Sequence, residues 1–218
     1  MVIDQEKMVE KQTPYKTIAH AAIIIIAVGI VIYTSLPQDT TETQNPIGDD
    51  PQENENQTQD TVILTLFYNN EETTYTIDEL QSLGPITGYG GYRTNFPSFK
   101  GQGTYTGISI TTLVEIVAGS IENYTLNVTA NEEGILESVM YNYSVIQGNV
   151  DIYNASNITS PVGTGGVTMI LCYQSDKEFL DPEQDGNLKI GFINQEEEKI
   201  TPAYLWWKFV ESMEIIEE

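Results

Sequence analysis

A single cysteine, Cys172, and a single histidine, His20, stand in this chain of 218 residues. These two shortages exclude more chemistry than any motif in it admits. One thiol forms no intrachain disulfide. With His20 inside an apolar run, the remainder has no Ser-His-Asp or Cys-His catalysis, no histidine-ligated metal and no multi-cysteine zinc or iron–sulfur site. Bases are scarce too, nine against 32 acids, and residues 61–218 hold six bases and 22 acids, a net charge near −16. Such a field repels nucleic acid and anionic lipid head groups, so no nucleic-acid partner is expected. A cationic partner, metal ions or simple solubility fit it better.

What is present divides the chain into four stretches. Residues 1–17 form a short tail carrying Lys7, Lys11 and Lys16. Residues 18–36 read IAHAAIIIIAVGIVIYTSL without a formal charge, and as a helix they would extend about 28 Å, enough to cross a bilayer core of roughly 30 Å. The next base after the run is Arg93, an asymmetry that puts the tail in the cytoplasm and the rest outside the cell membrane. A cleaved signal peptide is the rival reading. The run is longer than a usual signal core, and no A-x-A-like site or lipobox cysteine follows it, so an uncleaved single-pass anchor is preferred. Residues 37–60, polar, acidic and broken by Pro37, Pro46 and Pro51, read as a disordered stalk. Residues 61–218 are the globular domain. Length agrees with one domain plus appendages.

Six N-x-S/T sequons, at Asn56, Asn123, Asn127, Asn142, Asn154 and Asn157, all follow the apolar run. Their one-sided placement fits an exported face carrying N-linked glycans, although an Asn- and Thr-rich chain also yields chance matches. An acidic, isoleucine-rich, sequon-rich chain without a disulfide suggests an archaeal surface protein.

Within the domain, Thr61–Tyr68 predicts a strand, and Thr73–Ile77 pairs with it across a turn at residues 69–72. Thr76 and Glu79 have capping-box spacing for a helix over Asp78–Leu83, stopped by Gly84-Pro85. Residues 84–107, with seven glycines, predict an irregular ordered loop. Ser109 opens a helix over Ile110–Ala118 with Leu113, Val114, Ile116 and Val117 inward and Gly119 as its stop. Short strands are expected at 125–129, 139–145, 167–173, 188–193 and 213–216. Thr201-Pro202 predicts a helix over Ala203–Val210. Strands dominate without a βαβ rhythm, so the class is α+β: mainly a mixed, barrel-like β sheet with short inserted helices, plus the membrane helix.

Several features carry candidate chemistry. Asp181, Glu183 and Asp185 occupy positions one, three and five of a calcium-loop pattern, with Gly186 at six. Phe192 at position twelve and Pro182 at two break that pattern, and an acidic hairpin turn is the preferred reading. Glu196-Glu197-Glu198 reads as a solvated turn, Cys172 as a buried inert thiol, and Gly163-Thr-Gly-Gly166 as a turn without the lysine of a phosphate loop. Trp206-Trp207 could floor a ligand site, though one core tryptophan beside a half-exposed one is the commoner arrangement.

Three stretches, taken in order, resemble a known family. They are Gly103–Gly119, Tyr124–Glu133, and the closing run from Met169-Ile-Leu-Cys-Tyr173 through Phe179-Leu-Asp-Pro182, Gly186–Ile190 and Leu205-Trp-Trp-Lys-Phe-Val210. Over residues 75–216 the chain is similar to the molybdopterin-binding domain of sulfite-oxidase-like oxidoreductases. The resemblance implies that fold, a molybdopterin cofactor and redox chemistry. In active members a cysteine thiolate binds molybdenum; here the matching stretch is Tyr89-Gly-Gly91-Tyr-Arg93, with Tyr89 or a neighbour in the cysteine's place and Cys172 elsewhere. It further implies Arg93 and Lys100 on the cofactor phosphate, with the Gly88–Gly91 backbone, including Gly90, close to the pterin. Two functions follow as expectations. One is a membrane-anchored oxidoreductase domain with a redox partner. The other is a cofactor-free ligand- or protein-binding module at the cell surface, using Tyr89, Tyr92, Phe96 and Phe99.

Overall fold

A computed structural model describes residues 61–195 and 199–218. The predicted tail, membrane helix and stalk lie outside them, as do Asn56 and the 196–198 acid run. Among the described residues no helix is long and apolar enough to cross a membrane.

The domain is mainly β. Strand β1 (Leu64–Tyr68) turns through Asn69-Asn70 into β2 (Glu71–Tyr75). Both asparagines have positive φ, 51° and 65°, as a two-residue turn that follows the strand twist requires. Helix α1 (Ile77–Ser82) begins on the predicted capping box: Glu79 N–H donates to Thr76 Oγ1 at 3.3 Å, and Thr76 N–H to Glu79 Oε2 at 2.8 Å. Then come β3 (Ile86–Arg93), β4 (Phe99–Ser109), α2 (Ile110–Ala118), β5 (Tyr124–Glu132), β6 (Ile135–Tyr141) and α3 (Tyr143–Ile146). Strands β7 (Asp151–Ile152) and β8 (Gly163–Thr164) pair by themselves, followed by β9 (Thr168–Ser175), β10 (Glu178–Phe179), β11 (Lys189–Asn194) and β12 (Thr201–Pro202). One 3-10 turn, Ala203–Leu205, precedes the last strand, β13 (Val210–Glu217).

Two sheets organise these elements. The first runs β2-β1-β13-β5-β6, with only the β1–β13 pair parallel. In the second, β3 pairs β4, β4 pairs β9, β9 pairs β11 and β11 returns to β3. That ring is a small barrel, with β10 and β12 attached to it.

Alternation explains how one sequence serves two cores. On β9, Met169, Leu171 and Tyr173 join the main core, which Leu64, Leu66, Leu126, Val128 and Met213 supply from the first sheet. Ile170 and Cys172, the residues between them, join a smaller cluster with Tyr105, Leu180 and Ile193, capped by Trp206. A strand buried on both faces reads as a continuous apolar run, as TMILCY does.

The structure corrects four expectations. The strand expected over 139–145 ends at Tyr141, and Tyr143–Ile146 form helix α3, where the Asn142 side chain accepts from the Val145 N–H at 3.0 Å. Residues 84–107 are not a loop: they are most of the β3–β4 hairpin. Its glycines interrupt the apolar alternation because ring packing leaves no room for a side chain; a Cβ on Gly88 would lie 2.6 Å from the Asn194 carbonyl oxygen, and one on Gly107 2.1 Å from that of Leu171. The helix predicted over Ala203–Val210 is a single 3-10 turn. Thr201-Pro202 instead pairs in parallel with Tyr92-Arg93, and Trp207 bridges to Ile190, so sheet bonds outcompete the proline signal. Ile116, expected inward, is half exposed, while Leu113 and Val114 carry the buried face of α2.

Candidate binding surface

The residues singled out by the resemblance fall along the β3–β4 hairpin, and the register separates them. Tyr92 faces Lys100 and Arg93 faces Phe99. Directly opposed residues share a face and successive residues alternate, so Arg93 and Lys100 stand on opposite faces. Arg93 is also occupied: its Nε donates to the Ile158 carbonyl at 2.7 Å, an Nη donates to that of Thr159 at 3.5 Å, and the guanidinium lies over the Tyr153 ring, 4.9 Å from its centre. It pins the segment after β7 to the barrel.

Lys100 is exposed, while Tyr89 and the glycines are taken up by the barrel's own contacts. The Tyr89 hydroxyl accepts from Gln102 Nε2 at 3.4 Å, and its carbonyl accepts from Asn194 Nδ2 at 3.1 Å. On Gly90 a Cβ would lie 2.8 Å from the Phe192 carbonyl oxygen and 3.0 Å from the Trp206 ring, so its bareness makes room for the barrel's own contents. Gly91 sits at a register irregularity, where a Cβ would press on Gln102 and Ile200 at 3.0 Å. Cys172 is wholly buried, and burial pushes its thiol up to about 12 against a partly opposing pull from Lys189. A sealed, protonated thiol is neither nucleophile nor metal ligand. An anionic pterin needs converging, uncommitted donors. Lys100 is exposed but stands on the opposite face from the committed Arg93, so the donors do not converge and the named set does not fit a molybdopterin.

The acidic turn is likewise tied into the fold. Asp181 Oδ1 accepts from the Glu183 N–H at 2.9 Å. Asp185 Oδ1 meets Lys208 at 3.0 Å and the buried Lys189 at 3.4 Å. Burial alone would raise the Asp185 carboxyl, but the Lys208 hydrogen bond and the charges of both lysines outweigh it and hold the group below its ordinary value. Among the described residues no three His, Cys, Asp or Glu side chains are grouped to hold a metal.

Two surface features present themselves for contact. The first is the tip of the β3–β4 hairpin, where Phe96 is 88% exposed. The Thr94 N–H donates to the Ser98 carbonyl at 3.0 Å, the two hydroxyls meet at 2.8 Å, and the Thr94 hydroxyl also donates to the Phe96 carbonyl. Of the other three aromatics, Tyr92 packs on Trp206 with ring centres 5.6 Å apart, and Tyr89 and Phe99 are half-buried. The second feature, which sequence reasoning passed over, is β6 with the cleft beside it. That cleft, about 470 Å³, is lined by Ile135, Glu132, Glu133, Glu137 and Trp207 among others. ILESVM reads as an ordinary strand, and only the sheet order shows that it lies at an edge.

The sequons within the described residues are all at least partly exposed, Asn123 at a positive-φ turn and Asn142 at the cap of α3. No protein-family model matches the chain, and no curated protein matches it.

Proposed function

We propose that the domain is a cofactor-free binding module, presented outside the cell membrane by the N-terminal apolar segment and engaging a protein or ligand through the β3–β4 tip. Phe96 carries this reading. An aromatic side chain left 88% exposed on a hydrogen-bonded tip contributes nothing to the domain's own core, and aromatic anchors supply a large part of interface energy. Commitment of Arg93 to two loop carbonyls and burial of Cys172 argue against the oxidoreductase alternative. The one-sided lysines and sequons support the outward orientation.

Metal and pterin content decides between the two. The full chain, purified from a host that makes and loads molybdopterin, is expected to contain neither molybdenum or tungsten nor pterin. Stoichiometric metal with pterin would overturn the binding-module reading and restore the oxidoreductase one.

A further inference from the structure

The β5–β6 hairpin ends in a two-residue turn, Glu133-Gly134, with φ of 51° and 86°, and the Asn131 side chain accepts from the Gly134 N–H at 2.9 Å. That turn fixes the register, setting Glu132 opposite Ile135 and Ala130 opposite Glu137. Among the described residues β6 has no strand on its other side, so a row of backbone donors and acceptors faces solvent. The opposite edge of this sheet, β2, is guarded by Glu71 and Glu72. Edge strands are ordinarily blunted by such charges, by proline or by bulges. On β6 the outer face instead carries Leu136 and Met140, 65% and 61% exposed, around Ser138, and Ile135 on the other face is 64% exposed.

Charge indicates what fits there. Glu132, Glu133 and Glu137 line the cleft on the Ile135 side, over Trp207. Its one lysine, Lys208, is held by Asp185 at 3.0 Å and by the Gln184 carbonyl at 3.0 Å. Among the described residues none of the three glutamates has an ion-pair partner. We infer that β6 is an acceptor edge for an extended, basic peptide segment of a partner protein. The segment adds as a sixth strand, places lysines or arginines over the glutamate-lined cleft, and lays its alternate apolar side chains on Leu136 and Met140. Main-chain pairing supplies affinity and the alternating pockets supply specificity in strand addition. A second copy of this chain is the poorer occupant, since it brings another net charge near −16 to the edge. This inference stands on its own observations, separate from the Phe96 tip.

The test uses the full chain in non-ionic detergent and a fluorescent heptapeptide alternating lysine and valine, with binding read by anisotropy. Saturable binding is expected. Methylating alternate backbone nitrogens keeps the peptide's charge but removes its pairing donors, and is expected to weaken binding about tenfold or more. Glu132→Gln with Glu137→Gln is expected to weaken it several-fold and flatten its salt dependence. Leu136→Ser with Met140→Ser should weaken it without changing that dependence, and unchanged melting of both variants would show that the fold is kept. Equal binding of the methylated peptide, or of a glutamate–valine peptide, would overturn the inference. So would absence of binding, whether the chain is monomeric or self-associates through Leu136. Cofactor content is measured apart from this assay, so failure here leaves the proposed function standing, and the converse holds.

Discussion

Gly107 shows how little room the barrel leaves at a single residue. Its backbone runs so close to β9 that an added Cβ would fall 2.1 Å from the Leu171 carbonyl oxygen, and backbone on both sides prevents a cheap adjustment. Gly107→Ala is expected to cost about 3 kcal/mol in a denaturant titration. Gly163, where a Cβ meets nothing within 4 Å, should take alanine at little cost. Cys172 makes a second case. Buried on β9, with its thiol pushed up to about 12, it is expected to resist a thiol reagent at pH 8 in the folded protein and react fully in denaturant. Rapid native labelling would show that the barrel opens.

At the scale of elements, α1 depends on its first turn more than on its length. It has six residues, one of them, Leu80, buried, and helices this short do not persist on propensity alone. The reciprocal bonds between Thr76 and Glu79 secure its start, so Thr76→Ala is expected to lower stability by about 1 kcal/mol in the same titration. The capping box was legible because everything it needs lies within four residues. The β1–β2 hairpin was legible from Asn69-Asn70 and the flanking β-formers, and α2 from its apolar spacing and Gly119. Strands β3 and β4 were not, because the reason for Gly88 and Gly107 lies on β11 and β9, more than sixty residues away. Thr201-Pro202 misled for a related reason: proline suits a first helical turn, but parallel pairing beside Tyr92 is a long-range choice. Of the candidate site, residue types at Arg93 and Lys100 could be read; that the β3–β4 register, setting Lys100 opposite Tyr92, puts them on opposite faces could not.

For the whole molecule, titration narrows the stable range from both ends. Asp185, held below its ordinary 3.8 by Lys208 and Lys189 despite burial, contributes stability that is present above that value and lost as pH falls through the depressed folded one. Burial acts in the opposite sense on the alkaline side. It pushes Cys172 from 9.0 to about 12 and Tyr124 from 10.0 to about 12, and raises Tyr75, Tyr105, Tyr141 and Tyr173 as well. Those groups deprotonate first in the unfolded chain, so stability falls as pH climbs above about 9. Melting temperature against pH is therefore expected to show a plateau between these limbs. Asp185→Asn should flatten the acid limb and leave the alkaline one in place.

The parallel pairing of β1 with β13, which sets Thr65 beside Ser212 and Tyr68 beside Ile215, determines how the domain bears tension. A force drawn between the two ends of the domain pulls these strands along their lengths in opposite directions, so their slanted ladder bonds carry the load together instead of unzipping one by one. Stretched between handles at residues 61 and 218, the domain is expected to yield in one abrupt, high-force event. Gradual peeling would place the weak point elsewhere.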